Sequence, residues 1–348
     1  MLLYSLQKKL QLAKKILIIR FSSIGDIVLT SPVIRCLKLQ TGAEIHYLTK
    51  IPFATILETN PHISKVYAIQ KGIGEVIAEL KKEKYDYIID LHHNLRTFLI
   101  KCRLPFVKNY AFKKLNFEKW LLTNFKINRL PTMHIVDRYL ETVKPLGVKN
   151  DGEGLDFFLN PDLLNLQDLV NLKPIPKNYI ALPIGAGRKT KALTIEKIVH
   201  VCQKINYPVV LLGGKQEIKK ANYIATIIEA TEGKENLVNL VGQCSLLASA
   251  AIVKNAKVVL TGDTGLMHIA AAFQKPIISI WGNTVPEFGM YPYYPTGMDL
   301  NRTIEVKALP CRPCSKIGYD DCPKGHFKCI EQLSVMEIIA QLKNFIGD

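Results

Sequence analysis

The chain has 348 residues, 48% of them hydrophobic and 22% charged, which excludes a disordered chain and leaves room for two domains with cores of their own. Apolar runs such as Ile16 to Ile19 are far too short to span a membrane and no signal-peptide pattern opens the chain, so a cytoplasmic protein is expected. A formal net charge of +16 calls for an anionic partner, a phosphorylated substrate or an anionic membrane surface, and no zinc-finger, helix-turn-helix or aromatic RNA-binding signature supports nucleic acid.

Residues 1–13 space Leu2, Leu3, Leu6 and Leu10 as a helix does, beside Lys8 and Lys9, which suits either an amphipathic helix on anionic lipid or one packed on its own domain. Lys15 to Arg20 reads as a strand, and Phe21 to Asp26 as a turn into a helix over about 27–39 that must start near Pro32 or bend there. Strands at 44–49, 66–69 and 85–91 alternate with helices near 52–58 and 74–82, the last strand ending at His92 and His93. Such alternation predicts parallel βαβ units in a doubly wound sheet. The stretch 95–130 interleaves cations such as Arg96, Arg103 and Lys108 with Phe98, Phe106 and Trp120; it fits a surface that meets anionic lipid, or equally a solvated face over an ordinary core. A helix over 134–146 closes at Gly147, and residues 156–176 form the linker after a first domain at 1–155.

The alternation resumes in a second domain at 177–330, with a strand at 178–184, a helix from Thr194, a strand at 208–212, and helices to Glu229 and over 246–255. A helix at 331–348 closes the chain and is placed back on the N-terminal domain. Gly185 and Gly187 would let the backbone approach a phosphate, and Arg188, Lys189 and Lys191 bring charge to the same loop. This is neither a P-loop nor a dinucleotide fingerprint, so a nicotinamide enzyme is disfavoured.

Residues 257–281 are the centre of the chain: a buried strand, a break at Gly262 to Gly265, a short apolar helix and a second strand after Pro276. Asp263, Thr264 and Gly265 either cap that helix or offer its free N–H groups to an anion, with His268 one turn on. Asp26, at the end of the first strand, fits either a general base or a helix cap. Cys311, Cys314, Cys322 and Cys329 have a metal-like spacing that could hold a structural zinc, or are reduced thiols shaping a loop; a closed four-thiolate site would leave no catalytic position.

Taken together, Ile18 to Pro32, Tyr87 to Arg96, His134 to Leu140, the Lys191 loop, Gly262 to Ala272 and the Cys311 to Cys329 tail resemble the heptosyltransferases of lipopolysaccharide core synthesis, glycosyltransferase family 9. The resemblance implies a GT-B architecture, two Rossmann-like doubly wound parallel-sheet domains facing across a cleft. It implies inverting, metal-independent transfer of heptose from ADP-heptose to a phosphorylated, lipid-linked inner-core saccharide at the inner face of the cytoplasmic membrane. Asp26 would then be the base; Lys191, Asp263, Thr264, Gly265, His268, Gly187 and Glu217 would bind the donor; Ser23, Gly25, His93 and Arg96 would bind the acceptor. The alternatives are a GT-B transferase or epimerase using another nucleotide sugar, or a non-catalytic nucleotide- or lipid-binding protein of the same fold.

Overall fold

Ile16 to Ile19 are fully buried because strand β1 (Lys15–Ile19) runs through the middle of a parallel sheet, where both faces are covered and the sequence must be continuously apolar. The computed structural model describes residues 14–160, 174–230 and 236–347, so the helix expected over 1–13 and most of the linker at 156–176 lie outside the described residues. After β1 come α1 (Ile24–Val28), α2 (Ser31–Thr41), β2 (Glu44–Lys50), β3 (Lys65–Ile69), α3 (Ile77–Lys82), β4 (Tyr87–Asp90), α4 (Leu95–Arg103) and β5 (Lys108–Ala111). The strands lie in the order β3-β2-β1-β4-β5 with every neighbouring pair parallel. Strand order reverses between β1 and β4, so the loops that follow these two strands flank a topological switch point. The single helix expected over 27–39 is two helices: Pro32 stands in the first turn of α2, where its missing N–H loses no bond.

The described chain forms two compact units. The first holds the described residues of Met1–Lys114 and Ile135–Phe158, including α6 (Ile135–Leu140), while Leu115–His134, with α5 (Asn116–Phe125), belongs to the second. A first domain running unbroken from 1 to 155 is corrected accordingly. Leu122 of α5 packs with Val285, Phe288 and Leu130, and the Lys126 ammonium donates to the carbonyls of Cys311 (3.3 Å) and Pro313 (2.8 Å). These partners lie far along the chain, so nothing local in 115–134 announces the change of unit.

The second unit continues through β6 (Ile180–Pro183), α7 (Ile195–Lys204), β7 (Val209–Leu212), α8 (Ile218–Glu229), β8 (Leu237–Asn239), α9 (Leu246–Asn255), β9 (Val258–Gly262), α10 (Gly265–Ala272), β10 (Ile277–Trp281), β11 (Asn301–Glu305), α11 (Lys328–Glu331) and α12 (Val335–Ile346). Its strands lie in the order β11-β10-β9-β6-β7-β8, again parallel, with the switch point between β6 and β9. The closing helix, expected back on the N-terminal domain, packs on the second unit. Ile338, Ile339 and Leu342 of α12 sit in the second unit's own core with Ile198, Leu260 and Ile278, which corrects that expectation. Among the described residues no helix is long and apolar enough to cross a membrane.

Candidate active site

An arginine inside the Ile18 to Pro32 stretch, to which the resemblance assigns no role, holds the switch point of the first unit. Arg20, the first residue after β1, is 8% exposed. Its Nε donates to the Ser22 carbonyl (2.8 Å), its Nη1 to the Leu91 carbonyl just past β4 (2.5 Å), and its Nη2 lies 2.6 Å from Asp26 Oδ1. One guanidinium thus ties the loop after β1 to the loop after β4. Asp26 is the third residue of α1, and its Oδ2 accepts from both the N–H (3.1 Å) and the hydroxyl (2.8 Å) of Ser23. The capping role is realised, and it leaves Oδ1 a second lone pair with which to accept a proton. Burial works against the Asp26 charge, but Arg20 and the Ser23 donors outweigh it and hold the carboxyl below its ordinary range. Asp26 is therefore an anion at neutral pH.

The other first-unit candidates are arranged around the end of β4. His93 has φ +50°; its N–H donates to Asp90 Oδ1 (2.6 Å) and its Nδ1 is 2.9 Å from the Phe112 carbonyl oxygen. Asp90 is wholly buried and paired with Lys101 at 2.9 Å, so it anchors this turn. His92 is half-buried with its ring edge on Phe21; burial, with the charges of Arg20 and Lys114, pushes its pKa down to about 4, so the ring is neutral. Gly25 is buried in α1 and can act only through its backbone, while Arg96 is exposed on the first turn of α4.

In the second unit, residues 188–191 press onto the ends of β9 and β10. A Cβ on Gly262 would stand 2.0 Å from the Lys191 carbonyl oxygen, and one on Gly282 would stand 2.2 Å from that of Thr190. Two absent side chains thus admit the loop and bring the Lys191 ammonium to 2.6 Å from Asp263 Oδ2. The Thr284 hydroxyl, past the end of β10, donates to the same oxygen (3.2 Å). Thr264 caps α10 by accepting from the Met267 N–H, and its Oγ1 lies 3.1 Å from Thr261 Oγ1. An ammonium and the amino end of a helix at a switch point make a place for an anion.

The remaining donor-side candidates differ in their surroundings. Arg188 pairs with Asp320 (2.5 Å) and Lys189 approaches Asp321 (3.6 Å), so of the loop's cations only Lys191 is paired with Asp263. Gly187 has open space about it. The Glu217 carboxylate accepts from the Gly214 N–H (2.8 Å) and lies against Gly185, where a Cβ would come within 2.9 Å of Glu217 Cδ. His268 is buried within α10, behind the loop. Two further residues belong here without any sequence signal. The Lys220 ammonium, from α8, donates to the carbonyls of Ile184 (3.4 Å) and Leu193 (2.9 Å) and so pins both ends of the loop; burial lowers its pKa. Asn283, 1% exposed between Gly282 and Thr284, has no hydrogen-bond partner for either side-chain amide atom among the described residues.

The four cysteines of the tail are free thiols. Cys311 Sγ lies 3.7 Å from His326 Nε2, and Cys314 Sγ donates to the Cys311 carbonyl (2.9 Å). Among the described residues, the set whose three candidate ligand atoms come within 4.8 Å of one another is a different one, Glu44, His46 and Glu83. At that other cluster Lys15 (2.7 Å) and Lys65 (3.2 Å) already supply Glu83 with cations.

A family model described as glycosyltransferase family 9 (heptosyltransferase) matches residues 73–318. Lipopolysaccharide heptosyltransferase 1 of Campylobacter coli is 26% identical, covering 96% of this chain and 99% of that protein. Lipopolysaccharide heptosyltransferase 3 of Escherichia coli K12 is also 26% identical, covering 80% and 89%. Among solved structures, the glycosyl transferase family 9 protein of Veillonella parvula superposes with a TM-score of 0.75 at 21% identity over 97% of this chain and 98% of that one. The E. coli ADP-heptose lipopolysaccharide heptosyltransferase II does so with 0.73 at 18% identity over 95% and 98%. The structural likeness gives the fold, two parallel Rossmann-like sheets of the GT-B class.

Proposed function

The chain belongs to glycosyltransferase family 9, the heptosyltransferase family, and from that premise we propose that it transfers heptose from ADP-heptose to a phosphorylated, lipid-linked inner-core saccharide of lipopolysaccharide, at the inner face of the cytoplasmic membrane. The observation that carries this reading is the Lys191–Asp263–Thr284 cluster at the switch point of the second unit, which suits the diphosphate of a nucleotide sugar. Lys191 and the first N–H groups of α10, at Thr264 and Gly265, hold the diphosphate, and Asp263 keeps the ammonium in place. Glu217, with Gly185 and Gly187, takes the nucleoside side. Ser23, His93 and Arg96 border the acceptor.

In the transfer, the acceptor hydroxyl oxygen bonds to the anomeric carbon while the bond from that carbon to the donor's phosphate oxygen breaks. Asp26 takes the hydroxyl proton, and ADP leaves with its added charge met by Lys191 and the α10 dipole. One displacement inverts the anomeric configuration. Preorganised donors and a fixed cation supply the charge stabilisation, so this chemistry calls for no metal.

The test is ADP release from ADP-heptose, with and without a Kdo-lipid A-type acceptor and with no metal added. Asp26→Asn is expected to lower acceptor-dependent release by about 100- to 10,000-fold while ADP still binds. Lys191→Ala should weaken ADP binding by about 30-fold or more, since it also strands the Asp263 carboxylate. Release that survives Asp26→Asn would remove the base, and release from a different nucleotide sugar alone would reassign the donor.

A further inference from the structure

Helix α4 carries apolar side chains on two opposite faces, and only one of them is covered. Thr97 and Ile100 are fully buried and Leu104 nearly so, which is the stripe that docks on the sheet. At about 100° per residue, Leu95, Phe98 and Leu99 gather on the other side. There Leu95 is 73% exposed, Phe98 56% and Leu99 39%. Just past the helix, Phe106 has φ +68°, a left-handed backbone that bulky residues rarely adopt, and its ring stands wholly in solvent. Scattered exposed apolar residues are ordinary, but a cluster on one side of one helix marks a contact surface.

The charge around this patch indicates what covers it. Between Leu91 and Phe117 stand Arg96, Lys101, Arg103, Lys108, Lys113 and Lys114, and no Asp or Glu. Lys101 is engaged by Asp90, but Arg96 and Arg103 edge the apolar stripe and Lys108 follows Phe106, all three exposed. A second copy of the chain would bring the same cations against these. Residues 1–25 fit no better, since they too contain no Asp or Glu and carry Lys8, Lys9, Lys14 and Lys15. An anionic bilayer satisfies both features, with headgroups for the cations and the acyl boundary for the rings.

Building on the lipid-linked acceptor of the proposed function, we propose that the outer face of α4, together with Phe106, is the surface through which the protein inserts into an anionic phospholipid leaflet. Helix α4 begins at the carboxyl end of β4, the end of the first sheet that carries Asp26 and His93. Insertion there keeps a headgroup-level saccharide beside the candidate acceptor residues.

The test is flotation of the full chain with phosphatidylcholine vesicles and with mixed phosphatidylcholine–phosphatidylglycerol vesicles. The wild type is compared with the triple variant Leu95→Ser, Phe98→Ser, Phe106→Ser and with the double variant Arg103→Gln, Lys108→Gln. Binding to the mixed vesicles alone is expected for the wild type, falling about tenfold or more in each variant. Transfer to detergent-dispersed acceptor should stay within about twofold of the wild type in both, because these side chains point to solvent. Phe98→Trp gives a second readout that does not weaken the surface: its fluorescence should be quenched by brominated lipid. Undiminished vesicle binding by the triple variant, no binding by the wild type, or a variant that turns a dimer into a monomer would each overturn the proposal. A protein that transfers no heptose but loses vesicle binding in the triple variant would retire the acceptor reading and leave the docking face standing.

Discussion

As the proposed base, Asp26 would face two demands on one carboxylate: to stay ionised although burial opposes its charge, and still to take a proton. Arg20 meets the first demand, and its removal gives the sharpest single-residue test. Arg20 acts as a positioning residue, so Arg20→Gln should lower turnover and, more tellingly, move the acid limb of the kcat/KM profile. With Arg20 present the folded carboxyl titrates below its ordinary value, and activity should persist to correspondingly low pH. Without it burial is opposed only by the Ser23 donors, the pKa rises, and the limb should move to higher pH. An unmoved limb would mean that a different group sets it. The same depression contributes stability that is present above the unfolded carboxyl's pKa and is lost as pH falls through the folded one. Of the candidate site, Asp26, Lys191 and Asp263 could be picked out as candidates because a carboxylate or a cation beside glycines at a strand end is a recognisable pattern, while the role of Asp26 as a base rests on the resemblance alone. Arg20, Lys220 and Thr284 were not legible: each acts through carbonyls or carboxylates distant along the chain, and that adjacency exists only once the sheet register is known.

At the scale of the element, the donor loop depends on absent side chains. Gly262→Ala would place a methyl group against the Lys191 carbonyl oxygen, closer than any real contact, and the flexible partner is the loop rather than β9. ADP affinity should fall about tenfold or more with the loop displaced, measured by calorimetry, with near-ultraviolet circular dichroism reporting a retained core. Gly74→Ala, where nothing lies within 4 Å, is the matched control and should leave affinity unchanged. The central strands were legible for a physical reason: β1, β7, β9 and β10 are buried on both faces and so are predominantly apolar. The edge strands β5, β8 and β11, with sequences KNYA, LVN and NRTIE, bury less and carry no such signature. Helix α4 was hidden because apolar residues on both of its faces erase the single stripe by which a helix is read.

For the whole molecule, the repeated strand–helix alternation made two doubly wound units evident, and each has its own core. Their boundary was not evident, because membership of a unit is a matter of long-range contact and 115–134 has its contacts in the second unit. The division predicts where a nucleotide should stabilise the protein. ADP at about 100 times its Kd should add about 2.7 kcal/mol to the unfolding free energy of the second unit. In denaturant melts at that ADP concentration this gain should be kept by Asp26→Asn and cut to about 0.9 kcal/mol or less by Lys191→Ala; equal gains in both variants would place ADP elsewhere. The excursion of α5 also sets a timetable for synthesis. Lys126 and its acceptor Pro313 are 187 positions apart, so at ordinary translation rates of about 5–20 residues per second α5 waits roughly 10–40 s for the surface that will cover Leu122. During that interval the first unit can close only by looping out its own middle, and an apolar helix stays available to chaperones on every ribosome making this chain.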